Sequence, residues 1–68
     1  MKRIVIYRSG SYIIKVFGSI AKAHGFAIAS NLPVPNLFSE FKKKMEQDWG
    51  YTMPDEYDGK YFELHEVE

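Results

Sequence analysis

Asn36-Leu-Phe-Ser-Glu-Phe-Lys-Lys-Lys-Met-Glu-Gln-Asp-Trp-Gly50 is the stretch whose reading decides the architecture. Phe38, Phe41, Met45 and Trp49 recur at spacings of three, four and four, which places them on one stripe of a helix. Leu37 extends the stripe, and Lys42, Lys43, Glu46 and Gln47 fall outside it. Asn36 stands where an N-cap belongs and Gly50 where a left-handed C-cap belongs. The spacing predicts a helix over Leu37–Trp49 with a ridge of large side chains that needs an apolar surface to lie on.

Downstream, Tyr51–Tyr57 reads as irregular, with Pro54 in its middle, and Asp58-Gly59 is a strong turn signal. Lys60–Val67 reads as a strand with Phe62 and Leu64 on one face and Tyr61, Glu63, His65 and Val67 on the other. Upstream, the prolines of Asn31-Leu-Pro-Val-Pro-Asn36 hold their preceding residues out of helical conformation, so this is a rigid loop. Ser19 is a candidate N-cap. The segment after it is either one helix to Ser30 or a short helix stopped at Gly25 and followed by an extended piece. Its alanines favour the single helix.

At the N-terminus, Lys2–Arg8 and Tyr12–Phe17 are rich in β-branched and aromatic residues and flank the turn Ser9-Gly10-Ser11, a β-hairpin pattern. Ile4, Ile6 and Arg8 share one face, and Arg3, Val5 and Tyr7 the other. Tyr12, Ile14 and Val16 lie opposite Ile13, Lys15 and Phe17. Neither face is cleanly polar, so the hairpin is expected to be partly covered on both sides. The sum is a single α+β domain over residues 1–68, in the order β-β-α-(α)-β. A small antiparallel sheet, made of the N-terminal hairpin and the C-terminal strand, carries one or two helices on one face. Phe38, Phe41, Met45 and Trp49 are expected to face Ile4, Ile6, Ile14, Val16, Phe62 and Leu64.

A 68-residue chain has a core that rarely supplies more than roughly 3–5 kcal/mol of net stability, and small proteins usually add a disulfide, a metal or a partner. There is no cysteine. His24 and His65 lack paired ligand spacing, and the Asp55–Gly59 oxygens lack the spacing of a calcium loop, so neither a metal nor a cofactor is expected. Ser19-Ile-Ala-Lys22 fits a Ser-x-x-Lys pattern without the further motifs and larger fold that such chemistry needs, so no catalytic residue is assigned and the chain is read as non-enzymatic. Arg8 and Lys15 break the N-terminal apolar run too early for a secretion signal. The uncharged stretch 23–39 contains two prolines, so no membrane association and a cytoplasmic location are expected.

Net charge is zero, but its distribution is lopsided. Residues 1–44 carry eight basic side chains against one acidic, Glu40, and residues 45–68 carry eight acidic against one basic, Lys60. One explanation is structural: Glu63, Glu66 and Glu68 lie across from Arg3, Arg8 or Lys15 on neighbouring strands. The functional alternatives place partners on one sign or the other. Tyr51, Asp55, Glu56, Tyr57, Asp58 and Tyr61 mix carboxylates with tyrosines, a composition suited to a protein interface. Arg3, Tyr7, Arg8, Tyr12 and Lys15, with Lys42, Lys43 and Lys44, mix cations with rings as single-stranded nucleic-acid binders do.

The leading expectation is a module that covers a surface of a larger protein, in the style of small phage-type inhibitors or regulators, with the acidic tyrosine segment as its contact. Nucleic-acid binding by the basic set, and head-to-tail self-association of the oppositely charged halves, are the alternatives.

Overall fold

The computed structural model describes residues 2–67, and of Asp55 only the backbone. Strand β1 (Lys2–Ser9) and strand β2 (Tyr12–Phe17) form the expected hairpin. Its two-residue turn has Gly10 at φ 59°, a conformation that glycine adopts without the strain a Cβ would impose. Helices α1 (Ile20–Ala29) and α2 (Phe38–Asp48) follow, then a short strand β3 (Gly50–Thr52) and strand β4 (Lys60–Val67). The four strands form one antiparallel sheet in the order β2-β1-β4-β3, with both helices on one face. The C-terminal strand therefore joins the N-terminal hairpin, as an isolated hairpin's marginal stability demands. The part expected to be irregular holds two elements: β3, and a single 3-10 turn at Asp55–Tyr57.

Local chemistry accounts for the helix ends. The Ser19 hydroxyl accepts the backbone N–H of Lys22 at 3.1 Å and caps α1. The helix passes straight through Gly25 and ends at Ala29, with Ser30 as its C-cap and Asn31 next in the left-handed region at φ 56°. There the Asn31 N–H donates to Ile28 O at 3.1 Å and the Leu32 N–H to Ala27 O at 2.9 Å, a Schellman pair. Asn36 makes no cap for α2, whose N-cap position is Leu37 with no side-chain bond. At the other end it is Trp49, not Gly50, that takes the left-handed conformation, at φ 55°. Gly50 is a glycine for a different reason. A Cβ there would lie 2.4 Å from the carbonyl oxygen of Phe62, across the β3–β4 ladder.

The core lies between the helices and one face of the sheet. It contains Val5, Tyr7, Phe17, Ile20, Ala23, Ala27, Phe41, Met45, Met53, Phe62 and Leu64. Phe62, Leu64, Phe41 and Met45 are where the pattern put them. Ile4, Ile6, Ile14 and Val16 are not: the core-facing side of β1 is Val5 and Tyr7, which pair with Leu64 and Phe62. The reason lies in the aromatic contacts. Tyr7 stacks on Phe62 at 4.7 Å and meets Phe26 at 5.6 Å, so a ring fills space that isoleucine could not. Phe38 and Trp49 are also outside the core, and Trp49 is 51% exposed because the left-handed cap turns it away.

His24 is buried between the helices. Its Nε2 donates to the carbonyl of Pro35 at 2.8 Å, and its ring contacts Phe41 at 5.2 Å. The Tyr51 hydroxyl likewise donates to Pro33 O at 3.2 Å. Two proline carbonyls, which have no N–H of their own to satisfy, thus pin the loop between the helices.

Candidate functional site

The register of β1 against β4 brings the oppositely charged halves of the chain together inside one molecule. Arg3 sits directly opposite Glu66, with its Nε 3.9 Å from a Glu66 oxygen, and its Nη1 donates to Glu46 of α2. Arg8 Nη1 donates to Glu63 Oε1 at 2.9 Å, and His65 Nε2 lies 3.2 Å from the same oxygen. The structural explanation of the charge split therefore holds for Arg3 and Arg8. Lys15 forms no such pair among the described residues; its ammonium lies over the rings of Phe17 and Phe26 at 5.7 and 5.3 Å. Glu68 lies outside the described residues.

The bond from Arg8, with His65 beside it, holds the Glu63 carboxyl below the ordinary glutamate range despite partial desolvation, and Glu63 in turn raises Arg8. A carboxyl depressed in the folded state contributes stability that is fully present above its unfolded pKa, about 4.3, and is lost as pH falls through the folded value. Acid titration of the melting temperature should therefore show a loss beginning near the ordinary glutamate range and continuing below it. Glu63→Gln should remove part of that slope. An unchanged slope in the variant would show that the pair is not linked to folding.

The basic candidates do not form one surface. Tyr7 is buried against Phe62 and Phe26, and burial pushes its phenol pKa up, so no ring face is left for a base. Arg3 and Arg8 are held by carboxylates. Tyr12 is exposed at the hairpin tip, Lys43 is exposed on α2, and Lys44 lies over the Tyr51 ring at 5.8 Å. Lys42 does meet the N-terminal cations. With Lys2, Arg3 and Phe38 it lines an open groove of about 370 Å³ beside Gly18–Ala21.

The acidic tyrosine segment is divided by the sheet. Tyr51 pairs with Phe62 and packs on Phe41 at 5.7 Å on the helix side, where Tyr57 also lies half-buried against the core. Tyr61 alternates to the opposite side, and its hydroxyl donates to the Gly10 carbonyl at 3.2 Å, tying β4 to the hairpin turn. Glu56 and Asp58 are exposed, and Asp58 holds a left-handed turn position at φ 57°. The Asp55 backbone lies in the 3-10 turn, and its side chain is outside the described part. Among the described residues no three metal-ligating side chains cluster, and no helix is long and apolar enough to cross a membrane.

What the fold assembles instead is the sheet face turned away from both helices. Ile4 and Ile6 of β1 lie on it, with Val16 directly opposite Ile6. A β-bulge follows: Tyr7 pairs with Lys15 but Arg8 pairs with Ile13, so Ile14 is an extra residue on the edge strand. Ile13, Ile14 and Val16 are 55%, 47% and 52% exposed. Arg8, Tyr61, Glu63 and His65 continue the same face across β4, with Val67 beyond them. Four of these five aliphatics, Ile4, Ile6, Ile14 and Val16, read from sequence as core residues. The available signal was the hairpin itself, which is apolar on both faces and so required a covering on each. Compared with known protein families, with curated proteins and with solved structures, the chain matches none.

Proposed function

We propose that this chain is a non-enzymatic protein-binding module whose contact surface is the uncovered face of its sheet. One observation carries the reading: Ile13, Ile14 and Val16 stand about half exposed in a row beside Ile4 and Ile6, on a face that neither helix reaches. Monomeric soluble proteins rarely leave a contiguous apolar patch of this kind, and such patches mark interaction sites. The small size and rigid, aromatic-rich scaffold suit a regulator or inhibitor that acts by covering a surface of another protein.

The test compares baits in affinity purification from native cells. The wild-type chain should retain one dominant protein at near-stoichiometric amount, and the double variant Ile14→Glu, Val16→Glu should lose it while keeping its far-ultraviolet dichroism. Loss on Glu56→Lys, Asp58→Lys instead would return the contact to the acidic turn.

Nucleic-acid binding is the second reading, favoured by the groove that gathers Lys2, Arg3 and Lys42 around the 41%-exposed ring of Phe38. Its affinity would rise steeply as salt is lowered. A titration with labelled single-stranded DNA and RNA at about 50 mM salt that shows no binding removes it.

A further inference from the structure

We infer that the groove beside the start of α1 is a binding site for a nucleoside monophosphate unit, its terminal phosphate held by the gathered cations and its base lying on Phe38. The inference rests on the nucleic-acid reading of this groove and narrows it to a single nucleotide, free or at the 5′ end of a strand.

The first argument is where the cations gather. Lys2 and Arg3 of β1 and Lys42 of α2 line the groove. Lys22 joins them from α1: its Nζ lies 3.9 Å from the point that a Cβ on Gly18, another lining residue, would occupy. Arg3 is held by Glu46 and lies near Glu66, so it offers an oriented guanidinium rather than a free charge. The four cations still outnumber those two carboxylates. Arg8, Lys15 and Lys44 do not extend a track away from the groove, since they lie on Glu63, on Phe17 and Phe26, and on Tyr51. A groove that follows a strand carries positive charge along its length, whereas here the charge has one focus. A terminal phosphate brings roughly −1.5 to −2 charges and three acceptor oxygens to one point, and an internal phosphodiester brings a single charge. The terminal group is the better match.

The second argument is the donors beside those cations. Ser19 takes the Lys22 N–H on its hydroxyl at 3.1 Å and the Ala23 N–H on its carbonyl at 3.2 Å. The N–H groups of Ile20 and Ala21, both on the groove wall, are the first of the helix and have no intrahelical acceptor. They supply directed hydrogen bonds where the side chains supply charge.

The third argument is the ring. Phe38 lines the same groove, is 41% exposed, and is anchored by the His24 ring at 5.8 Å. An exposed ring beside a phosphate site takes a base, and it does so without choosing among the bases. The groove volume of about 370 Å³ falls within the roughly 300–1,000 Å³ of small-molecule sites.

Calorimetric titration of the full chain at low salt tests the site with adenosine 5′-monophosphate, adenosine, ribose 5-phosphate, and short single-stranded DNA with and without a 5′-phosphate. The monophosphate should bind, adenosine should not, and ribose 5-phosphate should bind more weakly. Lys2→Ala and Lys42→Ala should each weaken the monophosphate about three- to fivefold, the range of one exposed ion pair. Lys43→Ala, outside the groove, should leave it unchanged. Phe38→Ala should bring it down to the level of ribose 5-phosphate. Dichroism checks folding, and the exposed lysines carry the test if the Phe38 variant unfolds. Tighter binding of the monophosphate than of the phosphorylated strand identifies a free nucleotide as the ligand, and the reverse identifies a strand end. Equal binding of strands with and without the 5′-phosphate overturns the inference and leaves strand binding standing. Monophosphate binding that ignores both Lys2→Ala and Lys42→Ala also overturns it. If no probe binds, the inference and the nucleic-acid reading fall together.

Discussion

Phe41→Ala should unfold most of the population at room temperature. Phe41 has no exposed surface and stands where α2 meets α1, β3 and β4. Its ring meets Phe62 of β4 edge-on at 5.7 Å, Tyr51 of β3 at 5.7 Å and His24 of α1 at 5.2 Å. Removing it forfeits the transfer energy of a large ring and leaves a cavity that three rings from three elements cannot collapse together to fill. Such truncations cost about 3–5 kcal/mol. A chain of this size has roughly that much stability in total. Urea or thermal melts followed by dichroism measure the loss. A shift of less than about 1 kcal/mol would mean that α2 does not seal the sheet through this residue.

Trp49→Ala is the internal control. The helical stripe ranks it with Phe41, but its half-exposed ring and left-handed backbone predict a cost below about 1 kcal/mol, as for other surface positions. Trp49→Gly relieves the positive φ and should cost no more.

The second large effect belongs to the smallest side chain. Gly50→Ala should cost about 1–3 kcal/mol, the range for overpacking at a site with no room. Here the obstruction is the Phe62 carbonyl oxygen, 2.4 Å from the new carbon, and backbone of a paired strand cannot swing aside as a flexible side chain can. Relief requires β3 to part from β4. That also threatens the bond from the Leu64 N–H to the Trp49 carbonyl at 3.0 Å and the seat of Tyr51 on Phe41. Amide hydrogen exchange should show the loss concentrated at Gly50–Thr52 and Tyr61–Leu64, with the β1–β2 hairpin protected longer. Uniform acceleration across the sheet would show that β3 is not a separable unit.

Both experiments bear on the open face. Phe41 acts from the helix side of the sheet and Gly50 within the β3–β4 ladder at one edge, whereas Ile14 and Val16 lie on the open face near the opposite edge. Core variants should therefore change stability and association together. Open-face variants should change association while leaving the fold in place.

What the chain's own letters determine is the set of elements and their kind. The hairpin, the Ser19 cap, the rigid double-proline loop, the ridge of Phe41 and Met45 and the Phe62–Leu64 face follow from periodicities and turn chemistry that act over a few residues. The α+β class and the single-sided placement of the helices follow from those. Tertiary structure alone decides which face of β1 is covered. Ile4 and Ile6 compete with Val5 and Tyr7 on nearly equal hydrophobic terms, and the choice falls to whichever set complements the rings of Phe26 and Phe62. It also decides the bulge at Ile14, the left-handed turn at Trp49 and the pairing of Arg8 with Glu63, fifty-five residues apart. The Arg8–Glu63 pair joins segments distant in the chain, where local propensity carries no information, and the bulge and the left-handed turn fall on an isoleucine and a tryptophan, residue types that do not signal either. The candidate interface belongs to that second group: it is the half of the hairpin's apolar surface that the helices, having one core to fill, leave in water.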